Sequence, residues 1–337
     1  MSIGNHGKFE NLKYKNMNHS RRDFIKTASA VSAGAVISPK LFSGYEISKA
    51  RTYSLCIFTK CLQFLNYNQL GETLAGVGFK GAELTVRDDG QVLPENVKTD
   101  LPRAIKTLQQ SGISVPMIVT GIINPDDPLT EIVLGTASEH GVGYYRMGYL
   151  NYDPAKTIMG NLTIHKKAID KLEKINRKFR IQGCYQNHSG TRVGGPVWDL
   201  YWLVNGCDPD YIGVQYDIHH AIVEGGTSWP LGMDLLAPWI RTQAIKDFYW
   251  KKENNEWKIK DVPLGEGMVD FDAYFKKYVS LGISGPATIH FEYDLGGAES
   301  GSRNPTMSIS EISNYLKTDL SWLKKKFNEY GINSDLK

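Results

Sequence analysis

Side chains that can hold a metal ion or move a proton follow the apolar runs of this sequence at the points where the runs end. Asp217 closes the run 211–217 and precedes two histidines, and Glu292 closes the run 287–292. Similar residues lie at or near the ends of other runs: Glu83, Arg146, Gln186, His188, His219, His220, Lys246 and Asp247. Carboxylates and imidazoles suit magnesium, manganese, cobalt or zinc. The sequence therefore predicts a polar site, built from several strand ends, that binds a divalent metal ion.

The residues nearest to this expected metal each allow more than one role. His220 lies three residues after Asp217, a spacing that suits a second metal ligand or a substrate contact. His188 lies just beyond a strand-like run and is a candidate site residue. Lys246 is either a cation that acts on the substrate or the partner of Glu292 or Asp217 in a buried ion pair.

Further charged residues are candidates for substrate contact. Glu83 is either a site residue or an ion-pair partner. Arg87 and Arg146 suit a hydroxyl or carboxylate group of a ligand, and suit ordinary ion pairs equally well. Glu266, within Leu-Gly-Glu-Gly, either reaches over the site or accepts hydrogen bonds in a tight turn.

Short apolar runs alternate with amphipathic stretches from residue 53 onward. The predicted strands are 53–58, 81–85, 114–119, 144–147, 181–186, 211–217, 241–246 and 287–292. The predicted helices are 66–77, 95–111, 128–140, 155–178, 196–205, 231–238, 269–281 and 308–328. Eight such units predict a single closed (β/α)8 TIM barrel, in which the strand ends converge at one face. A doubly wound open sheet is the alternative, but the segment 58–62, after the first strand, lacks the glycine-rich phosphate loop of that fold.

The last strand is preceded by a clear helical pattern. Apolar residues recur at intervals of three and four, which places them on one helix face: Phe271, Tyr274, Phe275, Tyr278 and Val279. Asp270 can cap the start of this helix and Gly282 can end it.

Two long loops, 219–230 and 247–267, are expected above the mouth of the barrel. The second is rich in aromatic residues and is expected to form a hairpin that turns at Asn254 and Asn255. Trp250 in this hairpin either covers a sugar ring or packs against the neighbouring aromatic side chains.

The first 50 residues predict an export signal rather than part of the fold. Ser-Arg-Arg-Asp-Phe at 20–24 precedes a weakly apolar run, 27–37, which is typical of twin-arginine signals. The domain is then expected at 51–337 and the location is expected to be periplasmic. Such a signal is not an anchor, and no other segment approaches the ~20 apolar residues of a membrane span.

Composition excludes several classes of partner. The chain has 337 residues, with 39 basic and 36 acidic side chains, and part of the net charge of +3 lies in the leader. A near-neutral domain argues against nucleic acid as a partner. The four cysteines form no Cys-x-x-Cys pair, so a zinc-thiolate site is not expected. Cys56 and Cys184 lie in apolar runs and are expected to be small buried residues.

Six short segments make the chain similar to the xylose-isomerase-like superfamily of barrels, which includes sugar phosphate isomerases, epimerases and apurinic endonucleases. The segments are 78–87 (GFKGAELTVR), 186–188 (QNH), 217–221 (DIHHA), 245–247 (IKD), 264–267 (LGEG) and 291–292 (FE). The resemblance implies a TIM barrel that acts on a small carbohydrate. The endonuclease branch is disfavoured by the near-neutral charge and the expected export.

The resemblance also implies a set of metal ligands. Members of the superfamily usually hold a divalent metal through Glu, Asp, His and Glu after the fifth, sixth, seventh and eighth strands. Asp217 and Glu292 match, but Gln186 replaces the first Glu and Ala244 replaces the His. The amide oxygen of Gln186 suits a hard metal, and His188 or His220 is a candidate for the missing nitrogen. The implied ligands are Asp217, Glu292, Gln186 and His220. The alternative is that the site binds no metal.

Three functions are compatible with this changed ligand set. In the first, Glu292 or His188 moves one proton on a metal-held sugar, with Lys246 as a third catalytic candidate, in an isomerisation or epimerisation. In the second, a single base drives elimination or hydrolysis of an oxidised sugar such as a 3-keto-glycoside. In the third, the barrel binds carbohydrate without catalysis.

Overall fold

Eight parallel strands close into a barrel in the computed structural model, which describes residues 54–333. The described residues contain ten strands, of which all but β8 and β9 belong to the barrel. In chain order they are β1 (Leu55–Phe58), β2 (Gly81–Thr85), β3 (Ser114–Val119), β4 (Tyr144–Arg146), β5 (Gln182–Gln186), β6 (Ile212–Asp217), β7 (Ile240–Ile245), β8 (Asp247–Glu253), β9 (Glu256–Val262) and β10 (Ala287–Ile289). The strands β1 to β7 follow one another around the ring, and β10 closes it between β7 and β1. The predicted (β/α)8 barrel is confirmed. The predicted export signal lies outside the described residues.

Helices follow the barrel strands along the chain. Those between residues 54 and 333 are α1 (Tyr67–Val77), α2 (Val97–Gln110), α3 (Pro128–Glu139), α4 (Ile158–Phe179), α5 (Val197–Val204), α6 (Ile218–Gly225), α7 (Trp229–Leu236), α8 (Phe271–Ser280) and α9 (Ile309–Glu329). Side-chain caps set several of the starts, as in α9, where Ser308 and Glu311 form a capping box. The predicted helices match these elements to within a few residues.

The expected loop 219–230 is wrong, because a helix begins directly after β6. The side chain of Asp217 accepts a hydrogen bond from the backbone N–H of His220 at 3.1 Å, which caps α6. Gly225 and Gly226 end this helix, with Gly226 at a φ of 49°. The segment that carries the two histidines is therefore helical.

Polar side chains occupy the inside of the barrel near the carboxyl ends of the strands. Glu83 on β2 and Gln215 on β6 are 3.1 Å apart, although these strands are not neighbours in the ring. Both side chains must therefore point into the barrel. The apolar core lies around the strands, between them and the helices.

The face of α8 that packs on the barrel is the predicted one, with a single exception. Phe271, Tyr274, Phe275 and Tyr278 are all buried. Val279 was expected on the same face but is 45% exposed. An α-helix turns 100° per residue, so eight residues from Phe271 the stripe has drifted toward the solvent.

The strands β8 and β9 form the predicted antiparallel hairpin. It turns at Asn254 and Asn255, whose φ angles are 49° and 69°. Positive φ at both central positions defines the type I′ turn that matches the twist of the strands. At the base of the hairpin the Phe248 side chain is fully buried, whereas Trp250 further along is 38% exposed.

Asp247 ties the base of the hairpin to the loop that precedes α8. Its carboxylate accepts hydrogen bonds from the backbone N–H groups of Phe248 (2.8 Å), Gly265 (3.0 Å), Gly267 (2.9 Å) and Val269 (3.2 Å). One side chain thus satisfies four backbone donors that would otherwise lack acceptors. Asp247 organises the backbone and does not join the polar cluster of the strand ends.

The four cysteines are all buried, and the expectation for Cys56 and Cys184 is confirmed. Among residues 54–333, no helix combines the length and apolarity that a membrane span requires.

Asp319 on α9 is a buried carboxyl group next to the loop that Asp247 holds. It is 2% exposed, and its oxygens accept hydrogen bonds from the backbone N–H of Leu264 and from the hydroxyl of Tyr293, both at 3.2 Å. Burial raises the pKa of Asp319 to about 7, and the negative charges of Glu266 and Asp247 add to this. The folded chain therefore binds a proton here that the unfolded chain has already lost.

This shift makes stability depend on pH. Because the pKa is higher in the folded state, the free energy of unfolding should fall as the pH rises from about 4 to about 7, with a slope of up to about 1.4 kcal/mol per pH unit. Asp319→Asn, which mimics the protonated acid, should flatten this slope in urea unfolding measured across the window. The exposed Asp126→Asn is the matched control, and an unchanged slope in Asp319→Asn would contradict the assignment.

Candidate active site

The ammonium group of Lys246, one residue beyond β7, lies at the centre of a buried polar cluster. Its Nζ atom donates to Glu292 Oε2 at 2.7 Å and to His220 Nε2 at 2.8 Å, and lies 3.4 Å from Asp217 Oδ2. Burial lowers the pKa of Lys246, but the charges of Asp217 and Glu292 outweigh burial and raise it. The side chain therefore stays charged. Of the two roles expected for Lys246, the structure shows the buried ion pair, with Glu292 and Asp217 as partners.

Gln186 is held from both sides at the end of β5. Its Oε1 atom accepts hydrogen bonds from Arg146 Nη1 at 2.8 Å and from the Tyr149 hydroxyl at 2.7 Å. Its Nε2 atom donates to Asp217 Oδ2 at 2.9 Å. Arg146 can only donate and a carboxylate can only accept, so the partners fix the orientation of the amide. The amide oxygen therefore points away from Asp217.

His220 supports Lys246 as a neutral imidazole. Because the ammonium can only donate, Nε2 of His220 must accept, and the ring proton lies on Nδ1. That nitrogen is 2.9 Å from Ser189 Oγ and 3.2 Å from Nδ1 of His219. Burial, together with the charge of Lys246, holds the pKa of His220 well below its usual value.

His188 stacks on His220 on the more exposed side of the cluster, with ring centres 3.9 Å apart. Its Nδ1 atom lies 2.9 Å from the backbone oxygen of Ser189, an acceptor, so Nδ1 carries the proton and Nε2 keeps a lone pair. Burial lowers the pKa of His188 to about 4, and the charge of Lys246 contributes. At neutral pH, His188 is therefore an uncharged imidazole that can accept a proton at Nε2.

Glu292 bridges two ammonium groups at the end of the last barrel unit. Besides Lys246, it lies 3.3 Å from Nζ of Lys60, and its side chain is 23% exposed. Burial alone raises the pKa of Glu292, but Lys246 and Lys60 outweigh burial and hold it well below the usual range. A carboxylate stabilised in this way stays ionised and is a weak base.

Glu83 lies deeper than a substrate contact would require. It is fully buried and accepts hydrogen bonds from Gln215 at 3.1 Å and from His290 at 3.3 Å. Burial raises its pKa, but the hydrogen bond and charge of His290 outweigh burial and lower it. Glu83 therefore supports the floor of the site from inside the barrel.

The remaining predicted residues fall into two groups. Arg146 and Arg87 lie over the ring of Phe58, with guanidinium carbons 5.2 and 5.6 Å from its centre, and both belong to the mouth of the site. Glu266 has an exposed side chain, and no contact among the described residues links that side chain to the cluster.

In the part of the chain that the structure describes, two intervening side chains connect Trp250 to the cluster. Its ring is 6.2 Å from that of Phe248, which lies 4.3 Å from His219. Phe248 and His219 thus connect the hairpin to the site, and Trp250 lies one step further out.

Four residues at the site were not predicted, although each follows a barrel strand within a few positions. They are Lys60 after β1, Tyr149 after β4, and Ser189 and Arg192 after β5. A search of the six residues beyond each strand end would have found them. Their residue types alone carried no signal, because lysine, serine and tyrosine are common in loops.

A closed (β/α)8 barrel with a polar cluster at the carboxyl ends of its strands has the architecture of TIM-barrel enzymes. Residues 72–326 match the family model described as xylose isomerase-like TIM barrel, so the chain belongs to that family. The resemblance seen in the sequence is confirmed. No curated protein matches the chain at a significant level.

Several solved structures share this fold at low sequence identity. The probable 3-DHS dehydratase of Bacillus anthracis is 16% identical, with a TM-score of 0.58, over 81% of this chain and 98% of its own. The 3-keto-D-glucoside 4-epimerase of E. coli is 14% identical, with a TM-score of 0.59, over 81% of this chain and all of its own. A zinc-bound IOLI protein is 17% identical, with a TM-score of 0.62, over 82% of this chain and 99% of its own. At these identities the likeness shows the fold alone.

Three neighbouring side chains offer atoms that could bind a metal ion, but the ammonium group of Lys246 occupies the space beside two of them. Asp217, His219 and His220 bring potential ligand atoms within 4.8 Å of one another. Yet Asp217 Oδ2 and His220 Nε2 face the Lys246 ammonium at 3.4 and 2.8 Å. Ligand atoms bind zinc at about 2.0–2.2 Å, so an ion on these two atoms would lie against a positive charge. The donor set does not fit a divalent ion while Lys246 is charged.

This arrangement predicts the metal content of the protein. Purified wild-type protein should contain well below one equivalent of divalent metal by elemental analysis. Lys246→Ala should bind Mn²⁺ at least about tenfold more tightly, because carboxylate and imidazole ligands then face a vacated position. Lys60→Ala, which removes the other ammonium on Glu292, is the control. A full equivalent in the wild type that Asp217→Ala abolishes would contradict this prediction.

Proposed function

We propose that this protein is a carbohydrate-active enzyme that removes a proton from the carbon next to a sugar carbonyl, and that elimination follows. The observation that carries the proposal is His188: an uncharged imidazole with its proton held at Nδ1 and a lone pair on Nε2, at the partly exposed edge of a charged cluster. Membership of the xylose isomerase-like family supports a sugar as substrate.

His188 is a better candidate for the base than Glu292. Each carboxylate oxygen of Glu292 faces an ammonium group, Oε1 toward Lys60 and Oε2 toward Lys246, and these charges hold its pKa well below the usual value. Among the described residues, none donates a hydrogen bond to Nε2 of His188, so this lone pair is open to a substrate proton. The place of Glu292 between two ammonium groups suits it to position them. Those cations stabilise negative charge that develops on the carbonyl oxygen when the proton leaves.

A single base favours elimination over epimerisation. When His188 Nε2 takes the proton, the C–H electron pair forms a carbon–carbon double bond and the bond to the leaving oxygen breaks. The same imidazole returns the proton to that oxygen, so the products are an unsaturated ketone and a free alcohol. Epimerisation needs a second group on the opposite face, and Gln186 cannot act as a base there. An oxidised glycoside, such as a 3-keto-glycoside, supplies both the acidic C–H and the leaving group.

Isomerisation is the second candidate, because one base can also carry a proton between adjacent carbons. The 3-keto-D-glucoside 4-epimerase of E. coli shares the fold. Because the donor set does not fit the metal expected from the sequence, this reaction also depends on His188 and on the ammonium groups of Lys246 and Lys60. Export to the periplasm remains part of the proposal, since a free glycoside is more available there than a phosphorylated sugar.

Substitution of His188 tests the base. His188→Ala should lower turnover of a 3-keto-glycoside by about 10²–10⁴-fold, the usual contribution of a general base. Product NMR in D₂O would separate the reactions: an unsaturated ketone with released aglycone supports elimination, and a product of changed stereochemistry supports epimerisation. The surface residue His165 provides the control variant His165→Ala. Full activity of a folded His188→Ala protein, or sugar binding without any turnover by the wild type, would refute the proposal.

A further inference from the structure

Four cationic side chains lie along the rings of Phe58 and Tyr149 at the mouth of the barrel. Their charged groups lie between 4.5 and 5.6 Å from the centre of one or both rings, and we call them the cationic arc: Lys60, Arg87, Arg146 and Arg192. The Tyr149 ring is also 5.1 Å from that of His188. The arc therefore begins at the proposed base and continues along the mouth.

The arc has too few carboxylates to balance it. Among residues 54–333, only Lys60 of the four has a carboxylate at ion-pair distance, and that carboxylate, Glu292, is shared with Lys246. Within the described part of the chain, the hydrogen-bond acceptors of Arg146 are both neutral, the Tyr149 hydroxyl and the Gln186 amide. Its Nε atom has no hydrogen-bond partner among these described residues, although Arg146 is 4% exposed.

The buried carboxylate of Glu83 does not correct this imbalance. Its charge interacts with that of Arg146, but its oxygens already accept hydrogen bonds from Gln215 and His290 inside the barrel. Burial, together with the charge of Arg146, lowers the pKa of Arg87. Buried or half-buried cations without counter-charges cost folding free energy. At the mouth of the barrel, this cost in folding free energy is offset when an anion from the solvent binds to the cations.

We propose that the cationic arc binds an anionic group, so that the sugar on which His188 acts carries a carboxylate or a sulfate. A phosphosugar, which the expected export disfavours, has the same oxyanion chemistry and is a separate arm of the test. The planar guanidinium groups of Arg87, Arg146 and Arg192 match the paired oxygens of such groups. The identity of the ligand as a sugar rests on the proposed function, whereas the anion site does not require turnover.

A neighbouring cavity limits where the anion lies. A space of about 430 Å³ opens beside Arg87, between the segments that follow β2 and β3. Its other charged lining residues are acidic: Asp88, Glu95 and Asp127. Carboxylates accept hydrogen bonds from sugar hydroxyls and repel anions, so the cavity suits the uncharged part of a glycoside. The anionic group belongs on the arc.

Binding measured without catalysis tests the site. Calorimetry at constant ionic strength would compare D-glucuronate, glucose 6-phosphate, inorganic sulfate and D-glucose. The wild type should bind at least one of the anions about tenfold or more tightly than glucose, the equivalent of one charged hydrogen bond. The double variant Arg87→Met/Arg192→Met should lose this preference, and the ranking of the anions identifies the oxyanion. Arg103→Met, a guanidinium removed at the exposed surface of α2, is the control.

The outcomes separate this inference from the proposed reaction. The anion site would be overturned if the wild type bound none of the three anions, or if the wild type and the double variant bound them equally. If the double variant does not fold, the single variant Arg192→Met repeats the test. His188→Ala should retain the anion preference. Anion binding without turnover therefore refutes the reaction alone, and turnover of a neutral keto-sugar without anion preference refutes the anion site alone.

Discussion

The positive charge of Lys246, buried beyond the end of β7, is the constraint on which the rest of the site depends. A buried ammonium is tolerated only if acceptors surround it, and three different segments supply them: Asp217 at the end of β6, His220 on α6 and Glu292 after β10. Removing one partner of such a buried pair typically costs about 3–5 kcal/mol. The cluster therefore also fixes α6 against the strand ends, because Asp217 both faces the lysine and caps that helix.

The charge of Lys246 also gives a reason for the Gln that replaces the expected Glu ligand at position 186. Lys246 supplies a single positive charge that Asp217 and Glu292 already balance, so a third carboxylate at position 186 would add an uncompensated negative charge. Gln186 instead links Arg146 and Tyr149 to Asp217 through a neutral amide. The site keeps the carboxylates of its family at two positions while its charge balance has moved toward the positive.

The barrel was predictable from the sequence because each strand is an apolar run with its own turn signals, and because strand ends in a barrel must converge. The polar cluster followed from this convergence. The sequence could not predict where each polar side chain points or which group it contacts. Glu83 points into the barrel, Asp247 contacts backbone donors, and Glu266 is exposed to solvent. Lys60 and Arg192 were missed because their roles arise only when distant loops meet. The helix α6 was missed because its cap is the same aspartate that ends the strand.

Lys246 and Asp247 are consecutive residues whose side chains contact different parts of the molecule. One holds the reactive cluster, and the other holds the loop before α8 through four backbone hydrogen bonds. The two residues together connect the barrel to the hairpin that is inserted after β7. The hairpin residues beyond the buried Phe248 take no part in these contacts, so changes in their number or type should leave the cluster intact as long as Lys246 and Asp247 stay adjacent. New specificities can be added to this barrel at its outer rim without rebuilding the centre.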